Sequence, residues 1–125
     1  MSEKTYPNIL IAEDVESNYL YLKAVLSKLN ATIFWAKNGV EAVEICADEN
    51  SIDLVFMDLQ MPEMNGYEAT KILKEKYPKL PIVAQTAFDM SDDREKALDS
   101  GCDDYLAKPI KSKDLLGVVE KFLKF

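Results

Sequence analysis

The sequence predicts an α/β fold: one domain, with a parallel sheet covered by helices on both faces. Three observations carry this. Short apolar runs alternate with amphipathic stretches five times between Asn8 and Phe125, and such alternation builds parallel sheets. The strand-like runs are almost continuously apolar, as strands buried on both faces are. The chain has 125 residues, 48% of them hydrophobic and 30% charged, a size and balance that favour a single domain with a real core over disorder.

A short tail, residues 1–7, precedes the domain, residues 8–125. "NILIAE" (8–13) is the first buried strand. Residues 17–29 form the first helix, whose stripe reads Tyr21, Leu22, Val25, Leu26 and Leu29. "TIFWA" (32–36) is the second strand, and residues 38–50 the second helix, with Asn38 as N-cap. "IDLVFM" (52–57) is the third strand. After a turn-rich loop, residues 67–77 form the third helix, stopped near Pro78. "PIVAQT" (81–86) is the fourth strand, and residues 91–101 the fourth helix, with Ser91 as N-cap and Gly101 as stop. "DYLA" (104–107) is the fifth strand. Residues 112–125 form the fifth helix, with Leu115, Val118, Val119 and Phe122 on one face. There is no long-period repeat and no Ser/Gly/Pro-rich linker, so any effector domain is expected outside this chain.

Composition excludes several functions. With 22 acidic and 15 basic residues the formal net charge is −7, which argues against direct nucleic-acid binding, because phosphates need a basic face. There is no histidine, so a His base and a His-ligated metal are both excluded within the chain. Cys46 and Cys102 lie far apart with no C-x-x-C, and read as two core residues in a reducing cytoplasm. No apolar run is long enough to span a membrane and "MSEKTYP" is no signal peptide, so a soluble cytoplasmic protein without membrane attachment is expected.

In open α/β sheets, ligands bind beyond the carboxyl ends of the strands. Glu13 and Asp14 follow the first strand, Asp58 the third, Thr86 ends the fourth, and Lys108-Pro109 follow the fifth. Singly, each has a plain structural reading: a turn or helix cap for Asp14 and Asp58, a β-favouring Thr86, a solvated lysine. Together they place three carboxylates, a hydroxyl and an ammonium at one edge. Carboxylates sharing a site raise each other's pKa. An oxygen-ligated hard cation such as Mg2+ (or Mn2+) removes the conflict and commonly shares its shell with a phosphate. Lys108 and Thr86 suit a second anion, and a carboxylate can itself accept a phosphoryl group.

"ILIAED" (9–14), "DLVFMDLQMPEMNGYEA" (53–69), "PIVAQTA" (81–87) and "GCDDYLAKPI" (101–110) occur in this order. Over residues 7–125 the chain resembles the receiver domains of two-component response regulators, and "MPEMNGYEA" is closest to receivers of hybrid kinases and phosphorelays. The resemblance implies a single doubly wound (βα)5 flavodoxin-like three-layer sandwich with strand order 2-1-3-4-5. It implies that Asp58 is the phosphoacceptor, that Asp14 ligates the metal directly, that Glu13 acts largely through water, and that the Gln60 carbonyl completes the ligands. Lys108 would contact the phosphoryl group, as would the backbone N–H groups of Leu59 and Ala87. Thr86 and Tyr105 would form the switch pair, and Lys108–Pro109 would be a cis peptide. Glu13 stands where the family more often has Asp, so a small shift of metal geometry is expected. Phe88 is expected to shield the acyl phosphate from water.

The partners implied are a histidine kinase or a histidine phosphotransfer protein, with an unidentified downstream effector and a monomeric or weakly, phosphorylation-dependently dimeric state. Tyr19 and Leu20 lie outside the apolar stripe as read and are a candidate docking patch for the donor, against the plain reading of scattered surface apolars. The output face (fourth helix, fifth strand, fifth helix) carries Lys111, Lys113 and Asp114 and reads as an ordinary solvated surface. Asp92 and Asp93 suit the first turn of their helix and carry no further role. Such a domain is a signalling switch, not a conventional enzyme, although it assists its own phosphorylation and dephosphorylation. Two rivals differ in class. A haloacid-dehalogenase-type phosphatase needs a second Asp where Gln60 stands. A flavodoxin-like electron carrier needs a hydroxyl- and Gly-rich loop where "AEDVESN" is acidic. Met1 and the end at Phe125 favour a free-standing protein, with a receiver excised from a hybrid sensor histidine kinase as the alternative.

Overall fold

The computed structural model describes residues 6–48, 51–61, 63–86 and 91–123, with residues 91–94 described as backbone only. The strands are β1 Asn8–Ala12, β2 Thr32–Ala36, β3 Leu54–Asp58, β4 Ile82–Thr86 and β5 Asp104–Ala107. The helices are α1 Glu16–Leu26, α2 Gly39–Asp48, α3 Gly66–Lys76, α4 Ser91–Ser100 and α5 Ser112–Leu123. All strand pairs are parallel, in the order β2-β1-β3-β4-β5. This is the expected doubly wound, flavodoxin-like sandwich.

Strand alternation divides the core into two layers. Leu10, Val55, Met57, Ile82 and Ala84 pack toward Ala42 and Cys46 of α2, Ala69 and Leu73 of α3, and Ala97 of α4. Ile9, Ile11, Leu54, Phe56 and Val83 pack toward α1 and α5, through Leu22, Leu26, Leu115 and Val119. The helices present matching stripes: Ala69, Thr70 and Leu73 on α3, and Leu115, Val118 and Val119 on α5.

Local signals fix the helix ends. Asn38 Oδ1 accepts from the Glu41 N–H at 2.8 Å and Asn65 Oδ1 from the Glu68 N–H at 3.0 Å, both N-cap bonds. Gly101 takes φ of 111°, a conformation that disfavours any side chain, and its N–H closes α4 on the Leu98 carbonyl at 3.0 Å. The Ser91 cap and the roles of Asp92 and Asp93 fall on side chains outside the described residues.

The first helix differs from its expected phase. Its buried residues are Tyr19, Leu22, Val25 and Leu26, whereas Tyr21 is exposed. The reason is a long-range contact: the Tyr19 ring stacks on Trp35 of β2, with centroids 4.2 Å apart and planes 5° from parallel. Residues 27–29 continue as a tighter 3-10 turn, ended by Asn30 at φ 58°.

Candidate functional site

The parallel register brings the carboxyl ends of β1, β3 and β5 to one edge. Glu13 continues the alternation of Ile9 and Ile11, Asp58 that of Leu54 and Phe56, and Lys108 that of Leu106. All three therefore extend the face shared with α1 and α5. The Lys108 ammonium lies 2.9 Å from Glu13 Oε1 and 3.0 Å from Asp58 Oδ2, bridging the two acids. Glu13 is completely buried and Asp58 nearly so, at 3% exposure, while Asp14 is open to solvent.

Backbone groups hold both carboxylates in place. The Gln60 N–H donates to Asp58 Oδ1 at 3.0 Å and the Val15 N–H to Glu13 Oε2 at 3.2 Å. The Trp35 indole N–H donates to the Glu13 carbonyl at 2.8 Å, so the ring stacked on Tyr19 also anchors the acid's backbone. Behind Asp58 the β3–α3 loop is held by the Gly39 N–H on the Met64 carbonyl at 2.8 Å. Gly66 packs directly on the strand end: a Cβ there would sit 2.2 Å from the Asp58 carbonyl oxygen. Pro62 lies outside the described residues.

The charges are tuned by this enclosure. Burial raises the Glu13 pKa above its ordinary value. The Lys108 hydrogen bond opposes that rise, and the negative charge of Asp58 adds to it. Burial acts to lower the Lys108 pKa, but its bond to Glu13 and the charge of Asp58 outweigh that effect, so the pKa is raised and the ammonium is secure.

Glu13, Asp14 and Asp58 each offer an oxygen, and these oxygens lie within 4.8 Å of one another. An all-oxygen, anionic donor set at this spacing fits a hard divalent cation, Mg2+ or Mn2+. Gln60 is exposed immediately beside it.

The other expected residues divide. Thr86, 4% exposed, ends β4 on the opposite face, which it shares with Ala84. Ala84 is the register partner of Tyr105, so Thr86 and the half-buried Tyr105 lie diagonally on one face. The Lys108–Pro109 peptide is cis. Leu59 corrects an expectation: its N–H donates to the Gln85 carbonyl at 3.1 Å as part of the β3–β4 ladder, so it is not turned toward Asp58. The Gln60 N–H occupies that place instead. Tyr19 is a second correction: stacking on Trp35 leaves it 6% exposed, a core residue and not a docking surface, while Leu20 is 51% exposed. Ala87 and Phe88 lie outside the described residues. The Glu13–Lys108 pair and the Trp35 anchor were not foreseen. The shared parity of Glu13, Asp58 and Lys108 along their strands was the available signal for the pair.

A family model for the response regulator receiver domain matches residues 9–120. The chain belongs to the response regulator receiver domain family. Among its relatives, the sensor protein GacS of Pseudomonas syringae pv. syringae is 37% identical over 121 residues, 93% of this chain but 13% of GacS. The polar-differentiation response regulator DivK of Brucella anthropi is 33% identical over 118 residues, 93% of this chain and 95% of DivK. Solved receivers superpose closely. One is the receiver domain of the sensor histidine kinase PA1611 of Pseudomonas aeruginosa PAO1, crystallised with magnesium in its active-site cleft; it is 32% identical, with TM-score 0.86 over 94% of this chain and 98% of that one. A chain from the co-crystal of the Saccharomyces cerevisiae phosphotransfer protein Ypd1 with the Ssk1 receiver domain is 37% identical, with TM-score 0.86 over 95% of this chain and 91% of that one. The chain is thus a receiver domain of two-component or phosphorelay signal transduction, and it spans only a small part of the sensor and hybrid kinases it matches. That membership displaces the phosphatase and electron-carrier alternatives. Among the described residues, no helix is long and apolar enough to cross a membrane.

Proposed function

We propose that Asp58 of this receiver accepts a phosphoryl group from the phosphohistidine of a histidine kinase or a histidine phosphotransfer protein. The observation that carries the proposal is the Lys108 ammonium bridging two buried carboxylates, with exposed Asp14 completing an oxygen cluster at the same edge. An Asp58 oxygen attacks phosphorus; the new O–P bond forms as the N–P bond breaks, and the electron pair stays on the departing imidazole. Glu13, Asp14, Asp58 and the Gln60 carbonyl would hold Mg2+ (or Mn2+), which when bound supplies charge neutralisation for the transferred group. The Gln60 N–H, already on Asp58 Oδ1, keeps the nucleophile oriented, and Lys108 offsets the negative charge that arrives.

Thr86 and Tyr105 are the pair through which the acyl phosphate biases the conformational equilibrium. The bias is limited to the difference in its contacts between the two states. Their shared face at the end of β4 and β5 supports this reading. Assisted dephosphorylation belongs to the same site. The likeness to a receiver crystallised with Ypd1 supports a phosphotransfer partner, and exposed Leu20 on α1 is the contact we assign to it. Leu20→Ala is expected to slow transfer from a phosphotransfer protein while leaving reaction with a small donor unchanged; an equal effect on both donors removes the assignment. Two buried, unpaired cysteines suit the cytoplasm as its compartment.

The deciding experiment is incubation with Mg2+ and a small acyl-phosphate donor, read by intact mass. Wild type gains one phosphoryl group and Asp58→Asn gains none. A wild type that remains unmodified overturns the proposal.

A further inference from the structure

Among the described residues, the site described above leaves two buried polar side chains unused, Thr70, which lies against Cys102 Sγ, and Gln85. Gln85 is fully buried in β4, and neither its Oε1 nor its Nε2 has a hydrogen-bond partner among the described residues. Buried amides are normally paired, and an unpaired one calls for an explanation such as a second state that satisfies it. Gln85 lines a cavity of about 550 Å3 together with Asn18, Tyr21 and Leu22 of α1 and with Lys108 and Ile110.

Its position is the informative part. Gln85 is the register partner of Asp58 on one side and of Leu106 on the other. Lys108, two residues beyond Leu106, starts from the β5 side yet reaches Asp58 on β3 and Glu13 beyond β1. To do so its side chain spans the end of β4 on the face that carries Gln85. A buried acceptor without a partner therefore lies beside the path of the ammonium.

We propose that Gln85 is a positioning residue for Lys108, its Oε1 being the acceptor onto which the ammonium moves when a divalent cation takes oxygens of Glu13 and Asp58. The inference rests on the metal reading given above. Lys108 now uses one oxygen of each acid, and a dication competes for the same lone pairs while repelling the ammonium. Lys108 is only 22% exposed, so water replaces the lost bond incompletely. Gln85 supplies the missing acceptor, and the transfer also pairs the amide. The amide thus disfavours the cation-free state and favours the loaded one.

Gln85→Met keeps length and shape without polar atoms, and the probe is Mg2+ alone. Without Mg2+, the variant should unfold at a higher temperature than wild type. Its Mg2+ dissociation constant, by calorimetry or Trp35 fluorescence, should rise about tenfold, the worth of one hydrogen bond to a charged group. In a Lys108→Met background the same substitution should leave Mg2+ affinity unchanged. A variant that is stabilised with affinity unaltered, one that is destabilised without Mg2+, or an affinity effect that persists without Lys108, each overturns the inference and leaves the proposed function standing. A wild type that fails to bind Mg2+ overturns both.

Discussion

Replacing Lys108 by Met leaves two buried carboxylates facing each other, and the cost can be sized from the geometry. Carboxylate oxygens within 4.8 Å of one another repel by about 3.5 kcal/mol or more at an effective dielectric constant near 20. Each ammonium contact, at 2.9 and 3.0 Å, attracts by about 5–6 kcal/mol on the same scale. Burying the ammonium offsets much of that attraction, so the expected loss is about 3–5 kcal/mol, the usual consequence of stranding a buried charge. The pH dependence has a definite sign. Burial first, then Asp58, raise the Glu13 pKa above the ordinary 4.5, so the folded protein retains a proton that the unfolded chain has released. Stability therefore falls as pH rises through the window above 4.5. Without Lys108 the window extends upward, so the deficit of the variant should shrink on moving from neutral pH toward that lower edge. Added Mg2+ should restore more stability to Lys108→Met than to wild type. Urea unfolding followed by circular dichroism, at acid and neutral pH with and without Mg2+, tests all three expectations. A variant as stable as wild type at neutral pH without Mg2+ would refute the reasoning.

Gly66→Ala should cost about 2 kcal/mol and slow phosphorylation of Asp58 at least tenfold, because its Cβ would sit 2.2 Å from the Asp58 carbonyl oxygen and 2.8 Å from Leu59 Cα, neither of which can move alone; unfolding curves and timed intact-mass spectra measure both, and a normal rate would contradict the packing. Trp35→Phe keeps most of the ring but removes the N–H on the Glu13 carbonyl, and should lose about 1 kcal/mol in the same unfolding assay. Burial pushes the Cys46 and Cys102 thiols to about 11, so a disulfide-exchange reagent at pH 8 should find both inert in the folded protein and reactive in urea. The folded state also keeps these protons between pH 9.0 and about 11 while the unfolded state releases them, so stability should decline across that interval.

The layout of the site was legible because strand ends are legible. Each of Glu13, Asp58, Thr86 and Lys108 stands where an apolar run stops, and a parallel sheet gathers such ends. Their pairing was not legible: the ammonium reads from sequence as a phosphate contact, and only the folded register shows it bridging two acids. Helix α1 misled for a local reason. Tyr19, Leu20, Tyr21 and Leu22 are four apolar residues in a row, so the stripe can be phased two ways, and the tie is broken by Trp35 sixteen residues after Tyr19. Leu59 was misassigned because a backbone N–H gives no sign in sequence of which carbonyl it will meet. Gln85 sits inside an apolar strand and reads there as a tolerated polar residue; that its amide is enclosed and unpaired is a property of its neighbours alone.

The Lys108 ammonium joins residues 95 and 50 positions earlier in the chain, Glu13 and Asp58 respectively. A nascent or truncated polypeptide that ends before residue 108 already contains Glu13, Asp14 and Asp58, but not the ammonium that pairs with two of them. Such a product carries an unbalanced pair of acids. The charge balance of this strand-end edge is therefore completed only by one of the last elements of the fold to be added to the chain.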